Sequence, residues 1–339
     1  MYDKILLIGP RFNNNNKSLG GIVVLFEDLV DFCLNKKIQH IVIDTNKSNY
    51  KNVFIAYFKI ICLIVSNRKN TKHILLNGTA KDYLYIVPIL VFISNLYNTP
   101  VSLRKFAGNF YSVYTKSNFI CRKLYEYGLF HSTNNFFETK YLVEKFKFLN
   151  KNTFWWPNSR PSNNFNVSNA FKSRFVFISQ IKQTKGIYEF LNSSNTFNSN
   201  YTFDVYGPVM DNKFISKLKT YKNANYKGLL NPKDVCKTLA KYNVLVLPTY
   251  HDGEGYPGII LEAFSIGMPV ISTRWNSIPE IIKDKHNGLL ISIKNEKQLV
   301  RAINYFDNKN YSKMSKSAST IFKQFDSNYV NSNFFKRIN

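Results

Sequence analysis

Short apolar runs alternate along the chain with longer stretches of helical period. In the first half KILLIGP (4–10), QHIVIDT (39–45), KHILLNG (72–78), PVSLRKF (100–106) and YGLFHST (127–133) read as strands. Helical patterns fill the gaps, opening at GGIVVLFEDLVDFCLN and continuing over 53–66, 82–97 and 134–149. Fully apolar strands separated by helices predict a parallel sheet covered on both faces. WWPNSRPSNNFNVSN (155–169) is rich in Pro, Asn and Ser and reads as a hinge. The rhythm then restarts with strands at 174–180, 201–207, 224–230, 243–250, 269–274 and 287–293. Helices are expected from Gly186, around 211–221, over 232–241, after Pro257 and over 295–306, continuing toward the end of the chain. The expected fold class is α/β: two doubly wound, Rossmann-like parallel-sheet domains over 1–160 and 170–320. A cleft between the sheets' carboxyl ends would be the ligand site, as in open α/β sheets generally. A last helix over 321–339 is expected to pack back toward the N-terminal domain.

Composition supports two cores: of 339 residues 45% are apolar and 16% aromatic, which argues against disorder. The four cysteines (Cys33, Cys62, Cys121, Cys236) stand far apart with no C-x-x-C pair, which argues against a zinc ribbon or disulfide framework and suits a reducing compartment. MYDKILLIGP reads as a first strand, not a signal peptide, so a cytoplasmic location is expected. The net charge of +25 is spread over both halves: residues 1–160 hold 22 Lys/Arg against 9 Asp/Glu, and residues 161–339 hold 24 against 12. Such a field attracts polyanions, whether nucleic acid, an anionic membrane surface or phosphorylated small molecules. A compositional bias toward Lys, Asn, Ile, Phe and Tyr accounts for it equally well. No zinc-finger spacing, RNP-like motif or bZIP pattern is present, so nucleic acid is not an expected partner. The apolar stretches 53–65 and 82–97 are interrupted by Lys59 and Pro88 and fall short of the roughly 20 residues a membrane span needs. They read as buried helices, with a helix lying flat on a bilayer as the alternative.

The chemistry concentrates in HDGEGYPGIILEAF (251–264). NVLVLPTY is a buried strand, HDGEG is the loop at its carboxyl end, and Pro257 opens a helix that Gly267 and Pro269 stop. Gly255, Tyr256 and Gly258 would offer backbone amides at a helix N-terminus, where orphan donors and the helix dipole both favour a diphosphate. Glu262, one turn in, suits the hydroxyls of a neighbouring ribose, since a carboxylate accepts two hydrogen bonds at once. Glu254 stands before the helix. The plainer alternative is a pair of glutamates serving the helix dipole and the solvent.

Glu254, Gly255-Tyr256-Pro257, Glu262-Ala263, Gly267-Met268-Pro269-Val270, Pro279-Glu280 and Asn287-Gly288 together resemble the donor-binding signature of the family 4 retaining glycosyltransferases. The resemblance implies a GT-B fold, with a nucleotide diphosphate sugar in the C-terminal domain and a glycan or lipid-linked acceptor in the N-terminal one. It extends to FISQIKQTKGIYEFL (177–191), where Lys185-Gly186 matches the second residue of a phosphate-binding basic pair. The first, usually an arginine, falls on Gln180, with Lys182 two residues on as a substitute. FDVYGP (203–208) is similar to the family's strand whose closing glycine, here Gly207, lies near the nucleotide. YKGLLNPKDV (226–235) resembles a loop near the base, and WWPNSRP matches the Pro-Asn turn linking the domains, which implies Asn158 at the cleft. Gly20-Gly21 matches the first loop of the N-terminal domain. Relatives often carry a histidine at a mid-domain strand tip; SLRKFAGNFYSVY (102–114) has none there, leaving Arg104, Lys105 and Asn109. His131, at a strand end, and His251, beside the signature, are the other histidine candidates. The implied roles are leaving-group stabilisation by Lys185 and the 255–258 amides, donor-sugar contact by Glu254 and ribose contact by Glu262. No Asp-x-Asp occurs, and neither metal nor cofactor is expected. Surface polysaccharide synthesis is the implied setting, with peripheral contact at the inner face of an anionic membrane. Two other readings stay open: a degenerate member that binds sugar nucleotide or glycan without transfer, and another GT-B activity such as a sugar-nucleotide epimerase.

Overall fold

The computed structural model describes residues 4–13, 21–211, 214–218, 220–221 and 223–338. The chain forms two compact units, Met1–Ser159 with Ser327–Asn339, and Arg160–Asp326. Each is built on a six-stranded sheet whose pairings are all parallel.

In the first unit the strands are β1 Lys4–Gly9, β2 His40–Asp44, β3 Thr71–Gly78, β4 Val101–Lys105, β5 Asn134–Phe137 and β6 Thr153–Trp155. Their order is β2-β1-β3-β4-β5-β6, with Leu7 opposite both Val42 and Leu75. Side chains alternate across the pleat. Leu6, Ile8, Ile74, Leu76 and Leu103 therefore face a core shared with helices Val53–Asn67, Val87–Leu96 and Phe119–His131. Ile5, Leu7, Leu75 and Phe136 face the opposite core, shared with helices Gly21–Asn35 and Ser327–Ile338. The final helix, from beyond the second unit, thus completes one face of the first.

Four expectations for this unit need correction. YGLFHST is not a strand: 127–131 are the last turns of helix Phe119–His131, and the strand is the next segment, Asn134–Phe137. The helix expected over 134–149 is accordingly only Lys140–Phe146. The stretch 82–97 holds two helices, Ala80–Tyr85 and Val87–Leu96, because Pro88 has no N–H to continue the ladder. The hinge segment starts later than 155, since Thr153–Trp155 pairs with β5 as a sixth strand.

In the second unit the strands are β7 Arg174–Ile178, β8 Thr202–Tyr206, β9 Ala224–Tyr226, β10 Val244–Leu247, β11 Val270–Thr273 and β12 Gly288–Ile291, in the order β12-β11-β10-β7-β8-β9. Its principal helices are Ile187–Ser194, Gly258–Ser265, Glu296–Asn304 and Asn308–Phe322. The order runs outward in both directions from the β10–β7 pair. That pair is the topological switch point, and its carboxyl end is where an open sheet leaves a crevice.

Candidate functional site

Two of the signature's charged residues meet at this switch point. The loop after β7 carries Lys182 and Lys185; the loop after β10 carries His251 and Glu254. The Lys185 ammonium donates to Glu254 Oε1 in an ion pair whose side chains are 13% and 10% exposed. Thr249 Oγ1 is 3.4 Å from the same carboxylate oxygen, and Tyr250 N–H donates to the Thr184 carbonyl at 2.8 Å, stitching the two loops together. His251 Nδ1 lies 3.4 Å from Thr184 Oγ1. Burial pulls the His251 pKa down, Lys185 and Lys182 add to this, and Glu254 and Asp252 oppose it. Lys182 is likewise lowered, by burial and then by Lys185. Trp275 and Asn276 brace the Glu254 loop from outside, donating to the carbonyls of His251 (2.9 Å), Asp252 (2.9 Å) and Glu254 (3.3 Å).

Gly186 joins Lys185 to its helix at φ +80, and a Cβ there would stand 2.2 Å from the Pro248 carbonyl oxygen. Only glycine lets the two loops approach this closely. Gly207, at φ +138 against the Ser179 carbonyl, closes the neighbouring β8 loop in the same way. Gln180 is exposed at the carboxyl end of β7.

Helix Gly258–Ser265 follows Glu254, with Pro257 at its N-cap and Gly255 and Tyr256 buried before it. Tyr256 OH donates to Glu280 Oε2 at 2.6 Å, so the Pro279-Glu280 element of the signature holds the turn in place. Asn287, fully buried, donates to the Ile281 carbonyl and accepts from Lys283 N–H, closing the next turn. Glu262 has a partner that the sequence did not announce. Arg160 Nε donates to Glu262 Oε1 at 2.7 Å, and the guanidinium lies across Gly258, whose Cβ, if it had one, would be 1.7 Å from Arg160 Nη2. The bare face of Gly258 therefore holds an arginine. Arg160 thus brings a cation to the first turn of this helix, a charge that Gln180 does not provide.

The remaining predicted residues belong to the first unit. Gly21 begins helix Gly21–Asn35 with open space where a Cβ would stand, and Gly20 lies outside the described residues. Asn158 is half-buried and hydrogen-bonded to Glu138, which is buried beside Arg104 and Lys105 at the carboxyl ends of β4 and β5. Arg104 Nη2 donates to the Pro157 carbonyl at 2.9 Å and its guanidinium sits 4.0 Å from the centre of the Trp156 ring. Burial pushes the Glu138 carboxyl up to about 7, against the pull of Lys105 and Arg104, and pulls Lys105 down to about 8. Glu138 also accepts from the backbone of Ala107, a non-glycine residue at φ +78 in the RKFAGN loop. Strain of this kind persists only where surrounding contacts enforce it. Asn109 precedes helix Phe110–Lys116. His131 is not at a strand end; it ends a helix, exposed, with Nδ1 2.9 Å from the Tyr127 carbonyl oxygen.

Residues 172–306 match the family model described as glycosyl transferases group 1. This segment belongs to that family. The chain is 25% identical over 188 residues to N,N'-diacetylbacillosaminyl-diphospho-undecaprenol alpha-1,3-N-acetylgalactosaminyltransferase of Campylobacter jejuni, an alignment covering 55% of this chain and 47% of that protein. The chain spans about half the length of the curated relatives it matches. In structure it resembles Anabaena HepE in complex with UDP, with a TM-score of 0.76 and 13% identity over 99% of both chains. It also resembles the lipopolysaccharide outer core galactosyltransferase WaaB in its apo form, with a TM-score of 0.72 and 14% identity over 99% of both chains. The fold is GT-B: two Rossmann-like parallel-sheet units in one chain.

Proposed function

We propose that the chain is a retaining, metal-independent glycosyltransferase that moves a hexose-type sugar from a nucleotide diphosphate donor to a hydroxyl of a glycan or lipid-linked acceptor, in surface polysaccharide synthesis. The observation that carries this reading is the enclosed Lys185–Glu254 pair at the β10–β7 switch point, beside a helix N-terminus. Lys185, paired with Glu254, is a ready partner for an anion, and the amides at 255, 256 and 258 would offer donors beside it. Charge developing on a departing diphosphate would be stabilised by these groups without reorganisation. Glu254, released from part of its pairing, would contact donor-sugar hydroxyls and the positive character at the anomeric carbon. Glu262 would hold the ribose, sharing its carboxylate with Arg160. The acceptor would bind the first unit at the RKFAGN loop, which Glu138 holds. The Campylobacter relative, named for transfer to a diphospho-undecaprenol-linked substrate, supports a lipid-linked acceptor. In this reading the protein works in the cytoplasm at the inner face of a membrane.

Titration calorimetry with a panel of nucleotide diphosphates and nucleotide sugars, in EDTA, tests the reading. One of them should bind with micromolar affinity, undiminished by the chelator. Lys185→Ala should weaken that binding roughly ten- to hundredfold, the worth of one charged hydrogen bond, and Glu262→Ala should weaken it less. No binding by the folded protein would overturn the donor site. Gln180, uncharged where a basic residue is usual, favours a second reading in which donor is bound without transfer. Binding with no donor turnover across a panel of acceptors would select it.

A further inference from the structure

The outward side of the first unit's larger helical layer is apolar where a solvated helix layer is polar. Helices Val53–Asn67, Val87–Leu96 and Phe119–His131 lie side by side over the sheet, and their inward residues Ile60, Leu90 and Leu129 are fully buried. Facing outward, Phe54 is 87% exposed, Phe58 71%, Phe92 61% and Phe119 73%. The spacing is systematic. Tyr85, Ile89, Phe92 and Leu96 recur at three and four residues along a second, outward stripe of the 80–96 segment, while its first stripe fills the core. The third helix continues the surface as a shallow recess whose apolar lining is Phe119, Ile120, Leu124, Tyr127 and Phe130, with the Lys123 and Glu126 side chains beside them.

The charge on this face is predominantly positive: Glu126 lines the recess but is paired with Lys123 at 2.8 Å. Between Asp44 and Glu126 the sequence holds twelve Lys/Arg and a single carboxylate, Asp82. Asp82 is buried, accepting from Thr79 and paired with Lys47. Lys51, Lys59, Lys69, Lys116 and Lys123 are exposed around the aromatic side chains. Two cations lie against rings on this surface: Arg68 is 4.9 Å from the Tyr97 centroid and Lys123 is 5.8 Å from that of Phe119.

We infer that this face docks the protein on an anionic lipid bilayer. Phenylalanines standing out among lysines suit the boundary between acyl chains and headgroups, where apolar side chains enter and ammonium groups meet phosphate. The same features disfavour a second copy of the chain, which would oppose one basic surface with another. No described helix is long and apolar enough to cross a membrane, so the contact is along the surface. What the docking achieves, bringing a lipid-linked acceptor within reach, rests on the function proposed above; the docking itself uses no residue of the donor site.

Co-sedimentation of the full chain with vesicles tests it, comparing phosphatidylcholine alone with an equimolar mixture of phosphatidylcholine and phosphatidylglycerol. Binding to the anionic vesicles is expected, weakened by salt. The triple variant Phe54→Ser, Phe58→Ser, Phe92→Ser should lose at least about tenfold in vesicle affinity, by removal of buried apolar area. These side chains are exposed, so its thermal midpoint and nucleotide binding should match the wild type. Absence of vesicle binding, or equal binding by the triple variant, overturns the inference and leaves the donor site untouched. A wild-type dimer that the same substitutions dissociate would assign the face to self-association and overturn it too.

Discussion

Arg160 and Gly258 form a unit that neither residue explains alone. Arg160 follows the Pro-Asn turn of the hinge, and Glu262 lies 102 residues further on, so no spacing in the sequence couples them. Lys185, Gly186 and Glu254 were legible because each sits in a short loop after an apolar strand, where a parallel sheet collects its functional residues. Arg160 lacks such a context, and only the folded chain brings it to the first turn of the helix. The geometry makes a sharp prediction. The arginine and carboxylate side chains are 11% and 20% exposed, so Arg160→Ala should lower the stability of the second unit by about 1–3 kcal/mol in urea unfolding. Gly258→Ala puts a methyl where Arg160 Nη2 now lies and should lose a similar amount. Because both remove one interaction, the double variant should be little worse than either single one. Additive losses would mean that Gly258 serves the backbone and not the arginine.

At the scale of elements, strands were legible where every residue is apolar and illegible where polar residues are buried. β5 begins Asn134-Asn135, which reads as a turn. It is a strand because those amides are satisfied: Asn135 Nδ2 donates to the Leu129 carbonyl at 2.8 Å, and Ser132 Oγ donates to Asn135 Oδ1 at 2.9 Å. The adjacent apolar run at 127–130 suits a helix face as well as a strand, and periodicity over so few residues cannot separate the two. His73 in β3 is a second buried polar residue of this kind, with Nε2 2.9 Å from Ser102 Oγ. Burial first, and Lys72 second, lower its pKa from 6.5 to about 4. A depressed folded-state pKa contributes stability that is present above the unfolded value and lost as pH falls through the folded one. The stability of the first unit should therefore decline between about pH 6.5 and 4 by an amount on the order of 3 kcal/mol at most from this group. Comparing urea midpoints of wild type and His73→Asn across that range checks it; the variant should lack this part of the decline.

The whole molecule is one chain that leaves its first unit after Ser159 and re-enters it at Ser327. Two restarting strand–helix series announce two sheets, and a helical tail can be read from the sequence. A return of that tail toward the first domain is expected, but which side chains it meets cannot be read, because its apolar positions match any open hydrophobic face. The fold supplies the answer: Phe334 stacks on Trp156 with centroids 3.9 Å apart, meets the edge of Phe136 at 5.1 Å, and neighbours Phe335, itself stacked on Phe32 at 5.6 Å. Strands β5 and β6 and helix Gly21–Asn35 thus share one aromatic core with the last helix. Phe334→Ala should remove about 3–5 kcal/mol, the usual cost of deleting a buried aromatic ring. The loss should fall on the first unit, because the described rings that Phe334 meets, Phe136, Trp156 and Phe335, belong to it. Calorimetry can assign it: a nucleotide that binds the second unit raises that unit's unfolding transition by mass action. In Phe334→Ala the nucleotide-responsive transition should keep its midpoint while the other falls. If both fell together, the two units would unfold as one cooperative body, and the terminal helix would stabilise the second unit as well as its own.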